Sequence, residues 1–181
     1  MISQAFSAYA AALEAADFGA WHEAPSEASP IDSLFVVLHV DDRDRRYVVQ
    51  GFDARELARA IQPDAVDFPA ALLQLTLQYP FEVLPMCFAD TARLLHRLSN
   101  LLPLGTFLLS EDDKAICYRT LMPSEGEGLS VDTFVAIMRI VQFICVEFSG
   151  LVEAVASGDM TYAEAMARVK SKADPAAQVP V

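Results

Sequence analysis

The sequence predicts an α+β fold: a twisted antiparallel sheet of about five strands packed against helices, in the order α-β-β-(insertion)-β-α-β-β-α-α. Three observations carry that expectation. "LLQLTLQY" alternates Leu73, Leu75, Leu77 and Tyr79 with Gln74, Thr76 and Gln78, so one face of a strand is buried and the other wet. Two pairs of β-rich segments are joined by short charged stretches, "DDRDR" and "EDDK", as antiparallel hairpins are. A long helical segment starts at Ser130 and carries an apolar row wide enough to cover a sheet.

Taken in order, Ile2, Phe6, Tyr9 and Leu13 recur at helical spacing, with Ser3 as an early cap, and predict a first helix reaching about Phe18. "WHEAPSEASP", rich in Pro, Ser and Glu, predicts a loop. "SLFVVLHV" and "RYVVQGF" are β-branched and aromatic, the two arms of the first hairpin. "DARELARAIQPDAVDFP" predicts a short helix ending before Pro63, within an insertion over residues 53–69 at the sheet edge. From about Asp90 the spacing is helical again: Arg93, His96, Arg97 and Asn100 form a polar face, and Leu94, Leu95, Leu98 and Leu102 the opposite side. Pro103 and Gly105 end that helix, and "GTFLLS" and "AICYRTLM" make the second hairpin.

Ser130 is placed to cap the long helix. Asp132 lies in its first turn, where the dipole favours an anion, and Leu129 and Phe134 take the two positions of a hydrophobic staple. The helix is expected to run to about Ser157. "TYAE" repeats the start signal as a capping box for a last helix from Thr161. No repeat or linker divides the chain, so residues 1–170 are expected to form one domain and residues 171–181 a loose tail.

With 181 residues, 54% hydrophobic and 21% charged, the chain suits one folded domain and excludes disorder for most of its length. A net charge of −12 argues against nucleic acid, whose phosphates need a basic surface, and against an anionic membrane. The amino terminus has no basic start and carries Glu14 and Asp17, unlike a signal peptide. Val131 to Phe148 is the most apolar stretch, but Asp132, Arg139, Gln142 and Glu147 interrupt it, so no bilayer span is expected. Cys87, Cys117 and Cys145 are odd in number and lack framework spacing, which predicts buried free thiols in a reducing cytoplasm.

Few residues invite chemistry. His22, His39 and His96 have no second ligand at metal spacing. Cys117 stands beside Tyr118 and Arg119 without a base to form its thiolate, and reads as a packed strand residue. Glu111–Asp113 and Asp41–Asp44 lack the alternating ligands and distal Glu of a calcium loop and read as solvated turns. "EGEG" has no Lys after it, and its carboxylates would repel phosphate. No metal or cofactor is expected.

One group resists a purely structural reading. At about 100° per residue, Phe134, Ile137, Val141, Ile144, Phe148, Val152 and Val155 share one centre and would cover the sheet. Asp132, Arg139, Gln142, Glu153 and Ser157 gather on the far side, and Val135, Phe143 and Val146 fall among them. An apolar group there predicts contact with another layer of the fold or with another chain, and makes these three the candidate interface of a homodimer.

The stretch from "ARLLHRLSNLLPLGTFLLSEDDKAICYRTLMPSEGEGLSVDTFVAIMRIVQFICVEF" to "VASG" contains a helix ending in Asn100 and Pro103, a strand started by Gly105 and a hairpin. The Tyr118–Arg119 pair and a Leu129–Ser130 helix start follow. It resembles the YbjN-like family of bacterial proteins, and the element order looks like the type III secretion chaperone-like fold to which that family is related. The likeness covers roughly half the chain by motif and departs from the pattern over residues 53–69. It implies a non-enzymatic, regulatory protein with a chaperone-like surface, similar in fold to dimeric secretion chaperones, and it transfers no catalytic residue.

An acidic surface, more apolar residues than solubility requires and no chemical site together predict a cytoplasmic protein-binding module, chaperone-like or regulatory. Its protein partners would be basic, with no nucleic acid and no membrane. The alternatives are a small-molecule site or hydrolase built on Cys117 and His96, and a structural domain without a client.

Overall fold

A computed structural model describes residues 2–27, 29–61, 71–124 and 128–173. Helix α1 (Ile2–Ala15) turns Phe6, Tyr9 and Leu13 to one side, and all three are buried. Ser3 is already helical and so does not precede the helix as a cap; its side chain lies outside the described residues. The helix stops before Phe18 because Asp17 turns to a positive φ of 65°, and the Phe18 N–H donates back to the Leu13 carbonyl at 2.9 Å.

The stretch expected to be a loop opens with a strand. β1 (Gly19–Glu23) pairs antiparallel with β2 (Ser33–Val40), in a register that sets Trp21 opposite Phe35. Five residues beside a Pro- and Ser-rich segment are too few for an alternation to show. Cross-strand packing holds them: Trp21 stacks on Phe35 at 5.2 Å on the outer face while Ala20 is buried on the inner one. Among the described residues the sheet therefore has six strands.

β3 (Arg46–Asp53) completes the first hairpin, and α2 (Ala54–Ile61) follows it directly. α2 is described as far as Ile61; its expected end before Pro63 and the rest of the insertion lie outside the described residues, which resume at Ala71. β4 (Ala71–Glu82) buries Leu73, Leu75, Leu77 and Tyr79 and runs on through Pro80. A register shift between Gln78 and Glu82 spares the N–H that proline lacks. A 3-10 turn at Pro85–Cys87 leads into α3 (Phe88–Ser99), then β5 (Thr106–Ser110), β6 (Ala115–Ser124), α4 (Val131–Ala156) and α5 (Tyr162–Ala173). α5 extends past residue 170 into the stretch expected to be tail, and residues 174–181 lie outside the described residues.

The fold is α+β. The sheet is antiparallel throughout, in the order β1-β2-β3-β4-β6-β5. Its inner face joins Phe6 and Tyr9 of α1, Leu94, Leu95 and Leu98 of α3 and the buried row of α4 in one core. Among the described residues α4 alone is long and apolar enough to cross a membrane; here its inner row, Phe134, Met138, Val141 and Ile144, is fully buried in that core.

Two details explain sequence features that had no evident purpose. Gly105 has φ +71°, and a Cβ there would stand 2.3 Å from the Tyr118 hydroxyl, which donates to the Leu104 carbonyl at 2.8 Å. Gly105 and Tyr118 are thus one packing unit that ties the end of α3 to the second hairpin. The "DDRDR" turn is not simply solvated. Asp41 Oδ1 accepts the Arg43 and Arg45 N–H groups at 3.0 and 2.9 Å, and the Arg45 guanidinium bonds Asp41 and both carboxylate oxygens of Glu153 at 2.7–2.9 Å. The Arg45 hydrogen bonds hold the Glu153 carboxyl below its ordinary range. Burial acts upward on Asp41, but hydrogen bonds from Arg45 and Arg43 overcome it and hold this carboxyl low as well. The Glu111–Lys114 turn keeps its exposed charges, with only Asp113 tied, to the Ser110 hydroxyl at 2.7 Å.

Candidate functional site on the outer face of helix α4

α4 begins where Ser130 Oγ accepts the Thr133 N–H at 3.2 Å, the cap read from sequence. Of the expected inner row, Phe134, Val141, Ile144, Val152 and Val155 are buried, and Ile137 and Phe148 are half-buried against the core. Met138 and Cys145 are also fully buried; an unbranched thioether and a small thiol fill gaps that the helical wheel had not assigned to them.

The opposite side is apolar too, and open. Phe143 is 65% exposed and Ile140 43%. Val146 is half-buried beside Phe143, and the two line an open concavity of about 270 Å3 with His39, Arg139, Gln142 and Glu147. Val135, the third candidate interface residue, lies roughly two turns away and packs partly against the core. Phe143 and Val146 therefore belong to one surface feature that Val135 does not share.

The polar rim of this feature is fastened. A bulge between Val37 and His39 takes Leu38 out of step with β3, and the Leu38 carbonyl accepts Gln142 Nε2–H at 2.7 Å. The Arg139 guanidinium lies 4.5 Å over the Phe18 ring and donates through Nη2 to the Ala16 carbonyl, just past the end of α1, where the helix dipole favours a cation. An exposed aromatic ring beside an open hollow of mixed lining, Val146 among His39, Arg139, Gln142 and Glu147, can seat a protein side chain. Its lining holds no Ser, Thr, Cys or Lys.

Elsewhere three residues that the sequence left scattered converge. Ser7 Oγ lies 3.1 Å from His22 Nδ1, and His22 Nε2 lies 2.5 Å from the buried Asp32. In the tautomer that carries its hydrogen on Nε2, His22 donates to Asp32 and its Nδ1 faces the Ser7 hydroxyl as acceptor. The chain of contacts has the composition of a hydrolytic triad, but Ser7 sits inside α1, where its own N–H and those that follow it are spent on helical carbonyls and are not offered as an oxyanion hole. Its evident effect is structural: it fastens α1 to β1 and to the start of β2, with the His22 ring edge-on to Phe6 at 5.9 Å. Only residue positions 7, 22 and 32 brought together by the fold reveal it.

Cys117 and His96 are not brought together. Cys117 alternates with buried Ile116 and Tyr118 on β6, and burial pushes its thiol up from the ordinary value. His96 lies exposed on α3, 3.2 Å from the Asn100 amide. Burial pushes the Cys145 thiol up to about 12, which leaves it protonated at neutral pH. Among the described residues no group of three or more His, Cys, Asp and Glu is placed to hold a metal ion. No family model matches the chain, and neither a curated protein nor a solved structure matches it.

Proposed function

We propose that this chain is a non-enzymatic protein-binding module of the cytoplasm, chaperone-like or regulatory, whose α4 outer face takes a protein partner. The observation that carries the reading is Phe143, a large aromatic ring left exposed beside the concavity of Val146 and His39. Aromatic residues are among those on which interfaces concentrate their binding energy. The resemblance of the carboxyl-terminal half to the YbjN-like family supports the same reading. Over the rest of the surface the charge of −12 favours basic partners and would speed their encounter in a salt-dependent way.

Photo-cross-linking tests the reading. A benzophenone amino acid in place of Phe143, in native cytosol, is expected to capture defined protein adducts that the same probe at Glu111 does not. Identical adducts from both positions, or none from either, would refute a binding face at α4.

A further inference from the structure

We infer that the occupant of the α4 outer face is a second copy of this chain, its own α4 packed antiparallel across a two-fold axis at Phe143. This rests on the reading that the face binds protein, and it names the partner. In such a pair, residues equally far before and after position 143 stand level on the two helices. The α4 sequence is self-complementary under that rule. Phe143 meets its counterpart on the axis, Ile140 comes level with Val146, and Ala136 with Gly150. Arg139 comes level with Glu147, and the two-fold repeats this opposite-charge pair on the other side. All of them fall within about 60° of Phe143 at 100° per residue, a single contact stripe. Val146 is half-buried and the other six are exposed. An axis at Arg139 or at Glu147 sets like charges against each other, and one at Ile140 or Val146 loses the Arg139–Glu147 pair.

Gly150 gives independent support. A Cβ built there meets nothing within 4 Å, so no contact among the described residues asks for glycine. Inside a helix glycine is about 1 kcal/mol less favourable than alanine. Small residues at both ends of the stripe, Ala136 and Gly150, let a second helix come close. Arg139 is already held by Phe18 and Ala16, so little freedom is lost when it meets a facing carboxylate. The stripe from Ala136 to Gly150 is about 21 Å long, at the small end for a stable interface, so the dimer dissociates on dilution through the micromolar range.

Sedimentation equilibrium of the full chain over a concentration series tests this. The wild type is expected to reach twice the 19.8 kDa chain mass. Arg139→Glu and Glu147→Arg should each be monomeric, because each sets like charges level twice. Mixed in equal amounts, they should recover the two-fold mass, since every pair across the axis is again of opposite sign. Gly150→Trp, which enters open space and keeps its circular dichroism, should also halve the mass. A dimer that survives Gly150→Trp, or a mixture that stays monomeric, overturns the register. A monomeric wild type whose position 143 still cross-links to a different protein overturns the second-copy assignment and leaves the binding-face reading standing. A monomer with no cross-link removes both.

Discussion

Phe134 and Phe143 belong to one helix and meet opposite fates. Phe134 is fully buried, stacked on Tyr9 with ring centres 4.1 Å apart and planes at 14°. Phe143 stands mostly in solvent beside a hollow walled by Val146 and His39. Both sides of α4 are apolar, so periodicity alone identifies two faces that favour burial. Whether a face is covered by its own chain or by another depends on which neighbours the topology supplies. α1 and the sheet reach the inner side. The outer side is fastened to the rest of the fold by polar groups at its rim, among them Gln142, Arg139 and Glu153.

The largest effect should come from the inner face. Phe134→Ala removes a ring from a filled core and should lower the unfolding free energy by about 3–5 kcal/mol in denaturant titration. Phe143→Ala, measured on dilute protein, should change it by less than about 0.5 kcal/mol. Equal losses would erase the contrast between the two sides. Next in size is Gly105→Ala, which sets a methyl group against the Tyr118 hydroxyl at a positive φ and should cost about 2–3 kcal/mol. Tyr118→Phe in the same background removes the nearest clashing atom but leaves the ring carbon at 2.5 Å and the Arg119 carbonyl at 2.8 Å, so most of the loss should remain; a full recovery would contradict this packing.

The two charged turns sharpen the comparison further. Glu153→Gln loses the charged half of the Arg45 network and should cost about 1–2 kcal/mol. Folded-state carboxyl pKa values of Glu153 and Asp41 are depressed, so their contribution is present above the unfolded values near about 4 and fades as pH falls through the lower folded values. The wild-type advantage over Glu153→Gln should therefore narrow on acidification below that range, and an advantage that stays constant to low pH would contradict the network. The smallest effect is expected at the other turn, where Asp112→Ala should fall within about 0.5 kcal/mol of wild type, because its side chain is exposed.

Much of the fold could be read from single stretches. The Ser130 cap, the Thr161–Glu164 capping box and the Leu73-to-Tyr79 alternation rest on neighbouring residues, and each appears where its pattern placed it. What escaped depends on distant partners. β1 is a strand because Trp21 finds Phe35, and its five residues carry no pattern of their own. The Asp41–Arg45 turn looked solvated because Glu153, its third member, is far along the chain. Ser7, His22 and Asp32 converge from α1, β1 and the entry to β2, and no spacing announces them. At the candidate site the wheel picked out Phe143 and Val146 correctly as one outer group. It added Val135, which in fact leans on the core because α4 and α1 pack together near the α4 amino terminus. The pairing of Arg139 with Glu147 about Phe143 was present in the sequence throughout, but it acquires meaning only once the exposed side of α4 is known.

The central claim, that the outer face of α4 is kept for another chain while its inner face holds the fold, is tested most directly with Phe143→Asp. Its mass by light scattering at high concentration should be that of one 19.8 kDa chain, where the wild type is expected to show two. Its unfolding free energy at high dilution should match the wild type within about 0.5 kcal/mol. A mass equal to the wild type's, or a loss of stability as large as that of Phe134→Ala, would contradict the account.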